Sequence, residues 1–129
     1  MAVLHVELVA VDRQVWSGEA QRVIARTVDG DIGILPQHAP VLGVLVDGIV
    51  RILRPSGEEL SAAVHGGFLS VSDDEVAILA EVAELAGEID VARAQSALER
   101  ARARGPEDED AAAAALRASV RLRVAGRPA

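Results

Sequence analysis

The sequence predicts a β-sandwich of two packed, mostly antiparallel sheets, followed by a C-terminal antiparallel α-helical hairpin. Three observations predict it. Residues 1–87 carry short runs of Val, Ile and Leu punctuated by Asp-Gly, Pro and Gly, the pattern of short strands joined by tight turns. Residues 88–129 are rich in Ala and Arg, good helix formers, around one acidic interruption. Charge divides at the same place: residues 1–87 carry a net −8 and residues 88–129 a net +1. Two units are therefore expected, a sandwich over 1–87 and a hairpin over 88–129.

Val3 to Val11 is β-branched and alternates, with Leu4, Val6, Leu8 and Ala10 on one face and Val3, His5, Glu7 and Val9 on the other. Asp12-Arg13 starts a turn. Ala20 to Val28 is the second strand, closed by Asp29-Gly30. Val41 to Val46 and Ile49 to Leu53 flank Asp47-Gly48, the strongest short hairpin signal, because a type I′ turn needs positive φ at both central positions. Pro55 to Glu58 is a turn, Leu60 to Val64 leads to Gly66-Gly67, Phe68 to Val71 follows, and Ser72 to Glu75 turns into Val76 to Ala80.

Gly87 then breaks the chain and Asp90 caps a helix over Val91 to Arg104, which Gly105-Pro106 stops. Glu107 to Asp110 place negative charge at the start of the second helix, Ala111 to Val124, where the macrodipole favours it; Gly126-Arg127-Pro128 ends it. The expected inward faces are mostly Ala: Ala94, Ala97 and Ala101 against Ala112, Ala115 and Ala118. Larger apolar groups are few (Val91, Leu98, Leu116, Val120, Leu122, Val124). Burying a Leu is worth about 1.5–3 kcal/mol and a single methyl about 0.8, so these helices are expected to dock weakly and to move.

Composition excludes several classes. The 129 residues contain no Cys, so no disulfide or thiolate metal site is available. A net charge of −7 argues against nucleic acid as a partner, and all 13 positive charges are Arg. No apolar run approaches the ~20 residues that span a bilayer, and the N-terminus lacks signal-peptide features, so membrane association is expected only through partners. P-loop, dinucleotide-binding, nucleophile-elbow and zincin patterns are all missing. His5, His38 and His65 are scattered and are assigned satisfied structural roles; Asp73, Asp74 and Glu75 form a solvated turn. No catalytic residue and no metal ligand is expected.

The most distinctive stretch is GDIGILPQHAPVL, Gly30 to Leu42, with two Gly, two Pro and a His. It resembles the signature of the epsilon subunit family of the F-type proton ATP synthase, with Asp31 where the family has Glu. Trp16-Ser17-Gly18, the VHGGFLSV stretch over Val64 to Val71, and IDVARA over Ile89 to Ala94 are similar to further family motifs, in the family's order. The resemblance implies a sandwich plus helical hairpin, no active site of its own, and a central-stalk position bound to gamma and seated on the c ring, at the cytoplasmic face of the cell membrane as a peripheral subunit. It also implies coupling of ring rotation to ATP synthesis, and a hairpin that can extend along gamma and obstruct ATP hydrolysis in the head of alpha and beta subunits.

Residue by residue, the resemblance places Asp31 and His38 at the c-ring interface, His38 and Pro40 chiefly by holding the loop's shape. The Leu42 to Leu45 strand and the Phe68 segment suit either the core or the gamma interface, and the core is adopted. Arg117 and Arg121 share a helix face, with Arg123 and Arg127 beyond. They suit bidentate docking on an acidic segment of beta, with a solvated basic face as the plain alternative. Asp90, Arg93 and Arg100 match the motif with which some relatives bind ATP; Arg93 and Arg100 lie two turns apart on one face. No cofactor is required, and ATP enters as a regulatory ligand. The alternative function is a free-standing ATP-sensing module whose hairpin closes on nucleotide.

Overall fold

A computed structural model of the chain describes residues 2–126, so Arg127 and the Pro128 stop lie outside the described residues. The strands are β1 (Leu4–Ala10), β2 (Arg13–Ala20), β3 (Arg22–Thr27), β4 (Gly30–Ile34), β5 (Val41–Leu45), β6 (Gly48–Leu53), β7 (Glu59–Ser72) and β8 (Glu75–Leu85). The expected alternation becomes burial: Leu4, Val6 and Leu8 of β1 are buried while His5 and Glu7 are exposed. The strands form one hydrogen-bonded path, β2-β1-β8-β7-β5-β3-β4, with β6 joining β3 and β7. Pairing is antiparallel except between β1 and β8, which run parallel. The path folds over on itself and encloses one core built on Leu4, Leu8, Val23, Ile34, Ile52, Leu69 and Ile78.

The long ribbon of β7 and β8 organises this sandwich. β6 pairs with the first half of β7, from Leu53↔Glu59 to Gly48↔Val64. β5 pairs with the second half, from Leu45↔Gly67 to Val41↔Val71. So β5 and β6 lie end to end along β7, and Asp47-Gly48 is not the hairpin turn that its sequence suggests. The type I′ geometry occurs instead at Asp73 and Asp74, with φ of 50° and 63°, between the paired Ser72 and Glu75.

Gly66-Gly67 does not end a strand, as its composition suggests; β7 runs through it. It changes which face is buried. Ala62 and Val64 point into the core before it, and Leu69 and Val71 after it, so the buried parity shifts by one. Both glycines have left-handed φ (69° and 121°), and a Cβ on Gly67 would lie 2.0 Å from the Leu79 carbonyl oxygen. The shift turns Phe68 outward.

The helices are α1 (Val91–Ala103) and α2 (Glu109–Val124). Each starts with a side-chain cap: the Asp90 carboxylate accepts from the Arg93 N–H and the Asp108 carboxylate from the Ala111 N–H, both at 3.0 Å. Gly105, at φ 93°, ends the first, as expected. Ala94 and Leu98 of α1 pack on Ala118 and Leu122 of α2. Val120 and Val124 of α2 pack the hairpin onto the sandwich, against Ala63 and Ile89 with Ile49 alongside. Ala112 and Leu116 are exposed, contrary to the expected inward face, because Ala111 and Ala118 take the buried positions.

Candidate interaction surface

The outer face of the sheet made by β1, β8, β7 and β5 carries the most distinctive surface. Register places Val9 beside Leu79, Leu79 beside Phe68, and Phe68 beside Val44, one apolar row crossing four strands. Phe68, Leu79 and Val44 are 53%, 50% and 46% exposed. Leu42, one pleat further along β5, and Val11, just past β1, extend the row. With Gly66 and Gly67 the row borders a shallow hollow of about 530 Å³. Single exposed apolar side chains are ordinary, but a contiguous row on a sheet face is a candidate interaction surface. This corrects the core assignment of the Leu42 to Leu45 strand and the Phe68 segment: Leu45, Leu69 and Val71 reach the core, while Leu42, Val44 and Phe68 face outward.

The distinctive Gly30 to Leu42 stretch is a strand and a loop. β4 pairs with β3, placing Asp31 opposite Arg26. The Arg26 guanidinium donates to both Asp31 oxygens, at 2.9 and 3.3 Å, and that bond holds the exposed carboxyl below its usual range. His38 lies in the following loop, its Nδ1 2.7 Å from the Ala39 carbonyl oxygen. The loop is fastened to the β7–β8 turn by the Gln37 N–H, which donates to the Asp74 carboxylate while Gln37 adopts φ 68°. The role of Asp74 as an anchor for this loop had no local signal in the sequence.

The sequence profile described as "ATP synthase, Delta/Epsilon chain, beta-sandwich domain" matches residues 3–86. The ATP synthase epsilon chain of Streptomyces avermitilis is 59% identical over 95% of this chain and 94% of its own length. That of Mycobacterium avium is 47% identical over 98% of both chains. The chain belongs to the ATP synthase epsilon family. A chain in the cryo-EM structure of the Euglena gracilis mitochondrial ATP synthase, OSCP/F1/c-ring, superposes with a TM-score of 0.73 at 26% identity, covering 98% of this chain and 79% of that one. A chain of the Tetrahymena thermophila mitochondrial ATP synthase central stalk/c-ring shares the fold, with a TM-score of 0.54 at 20% identity over 67% of this chain and 69% of that one.

Within this epsilon-family chain the hairpin residues are placed as follows. Asp90 serves as the α1 cap, Arg93 is exposed, and Arg100 donates to the Ser96 hydroxyl at 2.6 Å. Arg121 is half-buried, and its Nε donates to the Glu84 carboxylate of β8, so α2 is fastened to the sandwich by an ion pair. Arg123 is exposed and lines a groove of about 150 Å³ with Arg26, Asp31, Asp47 and Arg51. The structure therefore brings Asp31 and Arg123, expected at separate interfaces, to one groove. At the root of the hairpin, Glu88 accepts from the Leu85 N–H and from Arg13, both at 3.0 Å.

His65 departs from expectation. It is 4% exposed, and neither ring nitrogen has a hydrogen-bond partner. The Asp47 carboxylate stands 3.6 Å from Nδ1. Burial, then the positive charge of Arg121, hold its pKa below the usual imidazole value, with Asp47 and Glu84 opposing. No helix among the described residues is long and apolar enough to cross a membrane.

Proposed function

We propose that this chain acts as a non-catalytic central-stalk subunit of the proton-translocating ATP synthase, held at the cytoplasmic face of the membrane through its partners. The gamma subunit covers the apolar row of Val9, Leu79, Phe68 and Val44. The β3–β4 turn and the loop carrying His38 face the c ring, where Asp31 exchanges its intramolecular partner Arg26 for a basic group of the ring. This rigid sandwich transmits rotation between ring and gamma. The hairpin regulates hydrolysis: once α2 leaves the sandwich, Arg117, Arg121 and Arg123 reach the acidic segment of beta in the catalytic head. Arg121 serves both states, paired with Glu84 when docked and with beta when extended.

The observation that carries this reading is the exposed four-strand apolar row on a chain of the epsilon family. Co-purification with gamma tests it. The outward-facing double variant Phe68→Ser/Leu79→Ser should fold normally and bind gamma at least about tenfold more weakly, about 1.4 kcal/mol. Unchanged gamma affinity in that variant would remove the row from the interface.

A further inference from the structure

His65 lies on the face of β7 that the hairpin covers. Ala63, two residues earlier on that face, is packed beneath Val120 and Val124 of α2. Glu84, directly across from Ala63 on β8, holds Arg121 of the same helix. The ring is 4% exposed. The Asp47 carboxylate, from the segment between β5 and β6, stands 3.6 Å from it, and the charges of Glu84 on β8 and of Arg121 and Arg117 on α2 act on it. A neutral imidazole in this place leaves two ring nitrogens unsatisfied, which costs stability but strands no charge. An imidazolium would add a buried positive charge within the field of Arg121 and Arg117, with Asp47 just beyond hydrogen-bond length.

We propose that His65 is a proton-operated latch for the helical hairpin: neutral, it is accommodated beneath α2, and protonated, it displaces α2 from the sandwich. The docked state disfavours the imidazolium, whereas an undocked hairpin leaves His65 in water with an ordinary affinity for protons. Docking is therefore strongest above the ordinary imidazole value of about 6.5 and weakens as pH falls through it. The Arg121–Glu84 pair is a separate contact between α2 and β8, and loosening depends on His65. The latch involves only contacts inside this chain and is independent of any partner subunit.

The test uses the isolated full chain. Amide hydrogen exchange of α2, corrected for the intrinsic pH dependence, is measured between pH 8 and 5.5, with the His65 ring followed by NMR over the same range. Opening of Val120 to Val124 should rise severalfold toward pH 5.5, with a midpoint that matches the His65 titration, while core amides of β1 and β3 stay protected. In His65→Gln the pH dependence of α2 should vanish; protected core amides certify that this variant is folded. A His65 ring that titrates without any change in α2 opening would overturn the latch. So would pH-dependent opening that survives in His65→Gln. Neither result bears on gamma binding, which the surface variant reports separately.

Discussion

Replacing Gly67 by Ala puts a methyl where the fold has no room for one. The new Cβ would lie 2.0 Å from the Leu79 carbonyl oxygen and 2.8 Å from the Ala80 Cα, both backbone atoms, so no rotamer change relieves the contact. The residue would also have to hold φ at 121°. The left-handed backbone costs an L-residue about 1–2 kcal/mol, and the forced separation of β7 from β8 a further ~1–3 kcal/mol. The loss is therefore about 2–5 kcal/mol, a large share of the ~5–15 kcal/mol of an ordinary domain. Urea unfolding followed by circular dichroism measures it, with Gly87→Ala as the matched control. A Cβ at Gly87 meets nothing within 4 Å, and that variant should stay within about 0.5 kcal/mol of the parent. If Gly67→Ala also stays within that margin, the fold does not need the face shift that turns Phe68 outward, and the origin assigned to the apolar row is wrong.

Arg121→Met removes the ion pair to Glu84, whose side chains are 29% and 25% exposed. A half-buried charged hydrogen bond of this kind is worth about 1–2 kcal/mol, so α2 amides should exchange about five- to thirtyfold faster while core amides do not change. Ending the chain after Gly87 should leave a cooperatively unfolding sandwich, since the main core is built from residues 4–85; loss of its β-sheet signal would contradict this. Glu88, whose carboxyl is held below its usual range first by the Leu85 N–H and then by Arg13, stabilises the linker above the ordinary glutamate value of 4.5 and loses that contribution as pH falls through its lowered value. Proteolysis of the linker at pH 7 should be faster in Glu88→Gln than in the parent, and the gap should close in acid.

The helices were legible because their boundaries are written locally: Asp90 and Asp108 cap, and Gly105 stops. β1 was legible because one buried face forces alternation. β2 and β4 were not, since RQVWSGEA and GDIGI carry little alternation and lie at the ends of the sheet path, with only one strand beside each to demand it. Asp47-Gly48 misled for a different reason. Turn chemistry is local, whereas the partner of both β5 and β6 is the distant β7. The same non-local pairing decides that Gly66-Gly67 continues a strand, that Phe68 and Val44 face outward, and that His65 is buried with Asp47 beside it. Asp31 and His38 were found through the Gly30 to Leu42 motif, but the Arg26 pair and the Asp74 anchor needed the β3–β4 register and the loop path.

Hydrogen exchange of the chain in complex with gamma tests the central claim most directly. The account predicts that gamma protects the amides of Leu42 to Leu45, Gly66 to Ser70 and Ala77 to Glu81, the strands that carry the apolar row. It also predicts that protection of α2 and of the β3–β4 turn stays as in the free chain. Protection confined to the helical hairpin, with the row still exchanging at its free rate, would contradict it.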